Sequence, residues 1–75
     1  MHPIARYRRA LGLTQDELSK ALGVSTFTIQ RWETGAAPRP RFVPRLAETL
    51  GVESLTLSDQ MDGWRAANPA PAATA

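Results

Sequence analysis

Residues 13–35, LTQDELSKALGVSTFTIQRWETG, contain two helix signals separated by one tight turn, and they decide the fold. Thr14 followed three residues later by Glu17 is the pattern of a capping box, which satisfies free amides at a helix start. Gly23 is the residue type that most readily adopts the left-handed backbone at a helix end. These signals predict a helix over residues 15–22. Its predicted inner face consists of small and apolar side chains: Leu18, Ala21 and Leu22.

The second half of the stretch repeats this pattern. Ser25 is a strong N-cap residue type, and Val24 and Ile29 have the spacing of a hydrophobic staple around it. Gly35 closes the segment, so a second helix is predicted over residues 26–34. Because only three residues separate the two helices, their spacing is that of a helix-turn-helix.

Two further helices are predicted on either side of this pair. Apolar residues at helical spacing before Gly12 predict a helix over 3–11, and those before Gly51 predict another over 43–50. The proline-rich stretch 36–41 between them is predicted to be a stiff loop. These assignments give an all-α protein of four to five helices around one small core.

The segment after Gly51 is ambiguous in sequence. Residues 53–64 could form a short helix capped by Ser54 or by Ser58, whereas the alternation of Leu55 and Leu57 also permits a strand. The last residues are rich in alanine and proline, which cannot bury a core. The expected division is therefore a domain over 1–64 and a flexible tail over 65–75.

Composition bounds the function. The chain of 75 residues is long enough for one small domain. It has no cysteine for disulfides or thiolate metal sites, and the one histidine, His2, cannot form a metal site alone. No nucleophile and base are paired, so neither catalysis, a cofactor, a metal nor a small-molecule ligand is expected. No apolar run approaches the roughly 20 residues of a membrane span, and the lack of an export signal predicts a cytoplasmic protein.

The net charge is weak evidence for the kind of partner that the protein binds. The outer face of the helix predicted over 26–34 is stronger evidence. The formal net charge is only +2, but eight of the nine cationic residues are arginine. Arginine suits phosphates and guanine edges, although GC-rich coding bias would give the same excess. With Val24 and Ile29 facing inward, the side chains left outside are polar, cationic or aromatic: Thr26, Phe27, Gln30, Arg31 and Thr34.

These side chains are types that read base edges in the major groove. Arg31 can bond guanine in two places, Gln30 can bond adenine, and Phe27 can touch a thymine methyl group. The free amides near Gln15 and the arginines of the following loop would hold phosphates on either side. An alternative interpretation places Phe27 in the core of a slightly rotated helix, with Arg31 paired to an acid.

The stretches LGLTQDELSKALGVSTFTIQRWETG and RPRFVPRLAETLGV, within residues 6–52, resemble the lambdoid phage repressor/Cro-type helix-turn-helix family, the XRE-like family, of the 434 repressor/Cro kind. The resemblance implies the compact helical bundle of lambda-repressor-like DNA-binding domains and a phage or bacterial origin. It also implies sequence-specific binding of double-stranded DNA and transcriptional control, with repression at a near-palindromic operator by a homodimer.

The resemblance also implies roles for individual residues. The base-reading positions fall on Thr26, Phe27 and Arg31, to which the outer-face chemistry adds Gln30. Backbone-contacting positions fall on Gln15, Thr34, Arg39, Arg41 and Phe42. A buried ion pair is expected between Arg8 and Glu33. Thr26 and Phe27 stand where the nearest relatives have glutamines, so their operator sequence cannot be transferred.

Other interpretations of the chain remain open in sequence. Four apolar residues near the C-terminus are candidates for a dimer interface: Leu55, Leu57, Met61 and Trp64. For Met61 and Trp64, a lid on the helix bundle is the alternative. An antitoxin-like module would bind its operator and also a partner protein through residues 53–75. A protein-interaction domain that has lost DNA binding is a further alternative, in which the exposed arginines would be dispensable.

Overall fold

The computed structural model describes residues 1–69, and these residues fold into five α-helices joined by turns and one longer loop. No strand occurs within these residues, so the all-α prediction is confirmed and the strand alternative after Gly51 is wrong. A short 3-10 turn, Pro40–Phe42, precedes the fourth helix. The helices are α1 (Pro3–Ala10), α2 (Gln15–Leu22), α3 (Thr26–Glu33), α4 (Val43–Leu50) and α5 (Ser54–Ala67).

The α2–turn–α3 unit forms from the local signals in its sequence. The Glu17 amide donates to the Thr14 hydroxyl over 3.0 Å, and the Thr14 amide donates to the Glu17 carboxylate over 2.9 Å. Gly23 adopts a left-handed backbone with φ of 70°, which a side chain would strain. The Val24 amide then donates to the Ser19 carbonyl over 3.0 Å, which redirects the chain into α3.

The ends of the later helices differ from the sequence predictions. Helix α3 stops at Glu33, with Thr34 as its C-cap residue. Helix α5 begins directly after Glu53, which makes no side-chain cap bond, so neither Ser54 nor Ser58 caps it. The helix then continues to Ala67, past the domain boundary expected at residue 64. Residues 70–75 of the expected flexible tail lie outside the described residues.

The core consists of apolar side chains from all five helices. Leu18 and Leu22 face inward from α2 as predicted, but Ala21 is exposed and Ser19 is buried in its place. The tight turn brings α3 against the Ser19 side of α2, which explains this correction. The buried apolar residues are Ile4, Leu18, Leu22, Ile29, Trp32, Leu46, Ala47, Leu50, Leu57 and Met61.

Helix α5 packs over the core and covers it with apolar side chains. Leu57 is 0 % exposed and Met61 is 4 % exposed, so the structure contradicts their assignment to a dimer interface. Trp64 is half-buried, and its ring lies 3.1 Å from where a β-carbon on Gly35 would stand. Among the four candidate interface residues, only Leu55 is largely exposed, at 79 %. The lid interpretation therefore fits Met61 and Trp64, and Leu57 is a core residue beside them.

Membrane-spanning helices and metal-ligand clusters are both absent from residues 1–69. None of the helices there combines the length and apolar character needed to cross a lipid bilayer. No group of three or more histidine, cysteine, aspartate or glutamate side chains in the same range is placed to hold a metal ion.

His2 caps α1 and is only 3 % exposed. Its Nδ1 accepts a hydrogen bond from the Ile4 amide over 3.1 Å, and its ring packs edge-on against Trp64 with centroids 4.8 Å apart. Burial lowers the pKa of the imidazole from 6.5 to about 4, which outweighs the opposing charge of Glu33. The charges of Arg65 and the N-terminal amine lower the same pKa further.

We therefore expect acid to destabilise the protein through His2. His2 takes up a proton near pH 6.5 in the unfolded chain and near pH 4 in the folded chain. Its contribution to the free energy of unfolding is therefore complete above pH 6.5 and is lost as the pH falls toward 4. The expected loss is about 1.4 kcal/mol for each pH unit across that window. Urea unfolding at several pH values measures it, with His2→Asn as the control because asparagine caps a helix without titrating. An equal pH slope in both proteins would contradict the assignment.

Candidate nucleic-acid interface

The outer face of α3 presents three exposed side chains. Phe27 is 65 % exposed, which makes the core interpretation of this residue wrong, and Gln30 and Arg31 are exposed beside it. The Arg31 guanidinium carbon lies 6.0 Å from the centroid of the Phe27 ring, within the range of a cation–π contact. None of the ion pairs found within residues 1–69 involves Arg31. Its donors therefore face solvent, available to a ligand.

Two threonines expected at the interface use their hydroxyl groups within the protein. The Thr26 hydroxyl donates to the Asp16 carboxylate over 3.3 Å and lies 3.4 Å from the Ser19 hydroxyl, so it turns toward α2. The Thr34 hydroxyl lies 3.1 Å from the Gln30 carbonyl and 3.0 Å from the Arg31 carbonyl. Both hydroxyls are engaged before any ligand arrives, which sequence spacing could not show.

Glu33 lies beneath this face and joins three helices. Arg8 of α1 donates to its carboxylate from Nε over 2.7 Å and from Nη2 over 3.2 Å. Gln15 of α2 donates to the same carboxylate over 2.9 Å. The Arg8 Nη1 also donates to the Leu13 carbonyl over 2.9 Å. The pair expected between Arg8 and Glu33 is present, and the Gln15 amide group, expected to hold a phosphate, is bound to Glu33.

The N-terminus of α2 carries both groups that attract an anion and groups that repel one. Its first-turn amides at Gln15 and Asp16 point out of the helix without intrahelical partners, which suits an anion. However, the carboxylates of Asp16 and Glu17 stand in the same turn. Asp16 is partly neutralised by Lys20, whose ammonium nitrogen lies 3.1 Å away. This end of the surface therefore attracts a phosphate less than the arginine-bearing loop does.

The loop after α3 carries Arg39 and Arg41, both exposed. Arg39 and Arg31 border a groove of about 410 Å³ whose floor includes Trp32 and Phe42. Arg41 stacks over the Phe42 ring, with its guanidinium carbon 5.0 Å from the ring centroid. Phe42 is also among the predicted backbone-contacting positions, and its amide donates to the Arg39 carbonyl over 2.9 Å. The 3-10 turn therefore occupies this donor within the protein.

Arg9 borders the candidate interface, although no pattern in the sequence indicated it. An open concavity of about 800 Å³ is bordered by Arg9 of α1 together with Gln15, Gln30 and Thr34. Arg9 follows Arg8 directly, but successive helical residues point in different directions, and Arg9 remains exposed. Only the packing of α1 against α3 brings it to this surface, so no sequence signal could have found it.

The fold is that of a small helical domain with a helix-turn-helix. The second helix of that motif, α3, exposes one face, which is flanked by arginines. Residues 4–57, nearly three-quarters of the chain, match the model of the helix-turn-helix family. The chain therefore belongs to this family, in its XRE branch, and is a DNA-binding transcription regulator. No solved structure shows a significant match to the chain.

We expect Arg8→Ala to destabilise the fold strongly, because it leaves the Glu33 carboxylate, with a side chain only 9 % exposed, without its cationic partner. The loss of one member of a buried pair typically costs about 3–5 kcal/mol. Chemical denaturation of Arg8→Ala measures the effect. Arg9→Ala is the matched control, since an exposed neighbour should change the free energy of unfolding by about 0.5 kcal/mol or less. Equal losses in the two variants would contradict the role of the pair.

Proposed function

We propose that the protein is a repressor that binds a near-palindromic operator as a homodimer, with α3 in the major groove. The observation that carries the proposal is the exposed trio on α3, Phe27, Gln30 and Arg31, on a helix whose opposite face is anchored in the core. A major groove admits one α-helix, and these side chains suit thymine, adenine and guanine edges. The lambdoid 434/Cro kind remains part of this proposal.

Phosphate contacts on both flanks would fix the register of α3. Arg39 and Arg41 lie on the loop that follows the helix, and Arg9 lies across the concavity on the other side. Exposed arginines neutralise phosphates without reading sequence. Because Gln15 and the Phe42 amide are bound within the protein, we assign the main backbone contacts to these arginines instead.

Pairing of two chains follows from the small size of one recognition helix. One α3 reads few base pairs, whereas two helices about 34 Å apart read two half-sites of a palindrome. Leu55 is the exposed apolar residue among those predicted for the interface, so we place it in the contact between copies. The antitoxin-like alternative has less support, because Leu57 and Met61 of its proposed partner-binding segment are buried in the core.

Selection of bound duplexes from a random pool tests the proposal. The expected result is an enriched sequence with two inverted half-sites whose centres are one helical turn apart, about 10 base pairs. Such a palindrome supports specific binding and pairing together. A pool that shows no enrichment after repeated rounds would overturn the proposal, and an enriched single half-site would overturn the homodimer alone.

We expect arginine variants to separate base reading from phosphate contact. Arg31→Ala should lose about 1–3 kcal/mol on the selected duplex and relax the preference at one base pair. Arg39→Ala and Arg9→Ala should instead weaken binding to specific and random duplexes alike, and each should reduce the salt slope by about one. Titrations at several salt concentrations measure both effects.

The matched control is Arg6→Ala. Arg6 is an exposed arginine on α1 that turns toward Gln60 of α5, and its Nη2 lies 3.4 Å from the Gln60 oxygen. We expect its removal to leave the salt slope unchanged. Equal effects of Arg6→Ala and Arg9→Ala would show that total charge, and not the placement of these residues, determines binding.

A further inference from the structure

Phe27 and Arg31 form a contact pair on the outer face of α3. Phe27 keeps 65 % of its side chain exposed although a large aromatic ring gains most from burial. The ring lies under the Arg31 guanidinium, with the guanidinium carbon 6.0 Å from the ring centroid. A guanidinium over an aromatic face is attracted by the ring quadrupole, so the ring restricts where the charged group points.

The helix that carries the pair is held in place before any ligand binds. The two residues are four apart on one helix, which puts them on the same face. That helix is capped by Ser25, whose hydroxyl accepts from the Thr28 amide over 3.1 Å, and it is anchored by the buried Ile29 and Trp32. The two side chains therefore start from fixed positions on one face of an anchored helix.

We propose that Phe27 and Arg31 together read one dinucleotide step, a 5-methylpyrimidine followed on its 3′ side by guanine. The proposal rests on the proposed function, since it requires α3 in the major groove. Arg31 would donate to guanine O6 and N7 in the guanine plane. The C5 substituent of the preceding pyrimidine projects into the same groove beside that guanine edge, where the apolar surface of Phe27 would meet it.

The chemical class that this pair recognises includes two bases. Thymine and 5-methylcytosine carry the same C5 methyl group, whereas cytosine carries a hydrogen atom there. The step is therefore TG, or CG in which the cytosine is methylated. Binding of this protein would then respond to cytosine methylation wherever a half-site contains CG, which adds a regulatory input to an otherwise fixed operator.

Phe27 acts in this step as a positioning residue for Arg31 as well as an apolar contact. Without the ring, the guanidinium regains freedom that it must lose to bond guanine. Removal of Phe27 should therefore lower the selectivity for guanine even though Arg31 is still present.

The experiment uses the duplex obtained by selection, with single-atom-group changes in the pyrimidine of the step. Replacing thymine by deoxyuridine removes only the methyl group and should weaken binding about four-fold for each half-site, the effect of burying one methyl group. When the TG step is replaced by CG, methylation of that cytosine should restore the affinity that was lost with the methyl group. A random duplex with the same changes is the control and should show no difference. Equal affinities of the thymine and deoxyuridine operators would overturn the proposal.

Variants of Phe27 separate positioning from simple contact. Phe27→Tyr keeps an aromatic face and should keep guanine selectivity, whereas Phe27→Leu keeps an apolar contact for the methyl group but should lose guanine selectivity several-fold. Circular dichroism checks that both variants are folded. If Phe27→Leu retained full selectivity for guanine, the ring would have no positioning role and the proposal would fall.

The outcomes also distinguish this proposal from the proposed function. An enriched palindrome whose half-sites lack a TG or methylated CG step would overturn the reading by Phe27 and Arg31 while leaving the repressor proposal intact. Failure to enrich any duplex would overturn both proposals together.

Discussion

The structure depends on the ion pair between Arg8 and Glu33. Arg8 holds the carboxylate through two nitrogens, at 2.7 and 3.2 Å, and also donates to the Leu13 carbonyl. Gln15 adds a third donor to Glu33. One carboxylate on α3 is thereby tied to α1 and to α2, which fixes the angle at which α3 leaves the body of the protein. A charge removed from water needs this number of partners, since a less satisfied pair would destabilise the domain.

Polar contacts between α2 and α3 serve the same end. The hydroxyls of Ser19 and Thr26 with the carboxylate of Asp16 link the two helices across the turn, in addition to their packing in the core. Every buried side-chain nitrogen or oxygen within residues 1–69 has a hydrogen-bond partner. The buried polar groups on the inner side of α3 are therefore all bonded within the protein. The side chains that remain for a ligand are those on its outer face.

Helix α5 shows how burial reassigns residues that a sequence pattern leaves ambiguous. Leu57 and Met61 are four apart on one helical face, and that face covers the core. Leu55 lies off that face and remains exposed, and Trp64 covers the side formed by His2 and Gly35. An apolar side chain in sequence indicates burial but does not say whether the burying surface belongs to the same chain or to a partner.

Local signals in the sequence determined α1 to α4 and the turn at Gly23, and they favoured an outward direction of Phe27 that the structure then decided. Caps, glycines and helical periodicity act within a few residues, so their effect can be read along the chain. Tertiary structure alone decided the placement of Arg9 and Thr34 around one concavity, the use of the Gln15 amide by Glu33 and the packing of α5 over the core. These depend on contacts between residues far apart in sequence, whose partners no local pattern specifies.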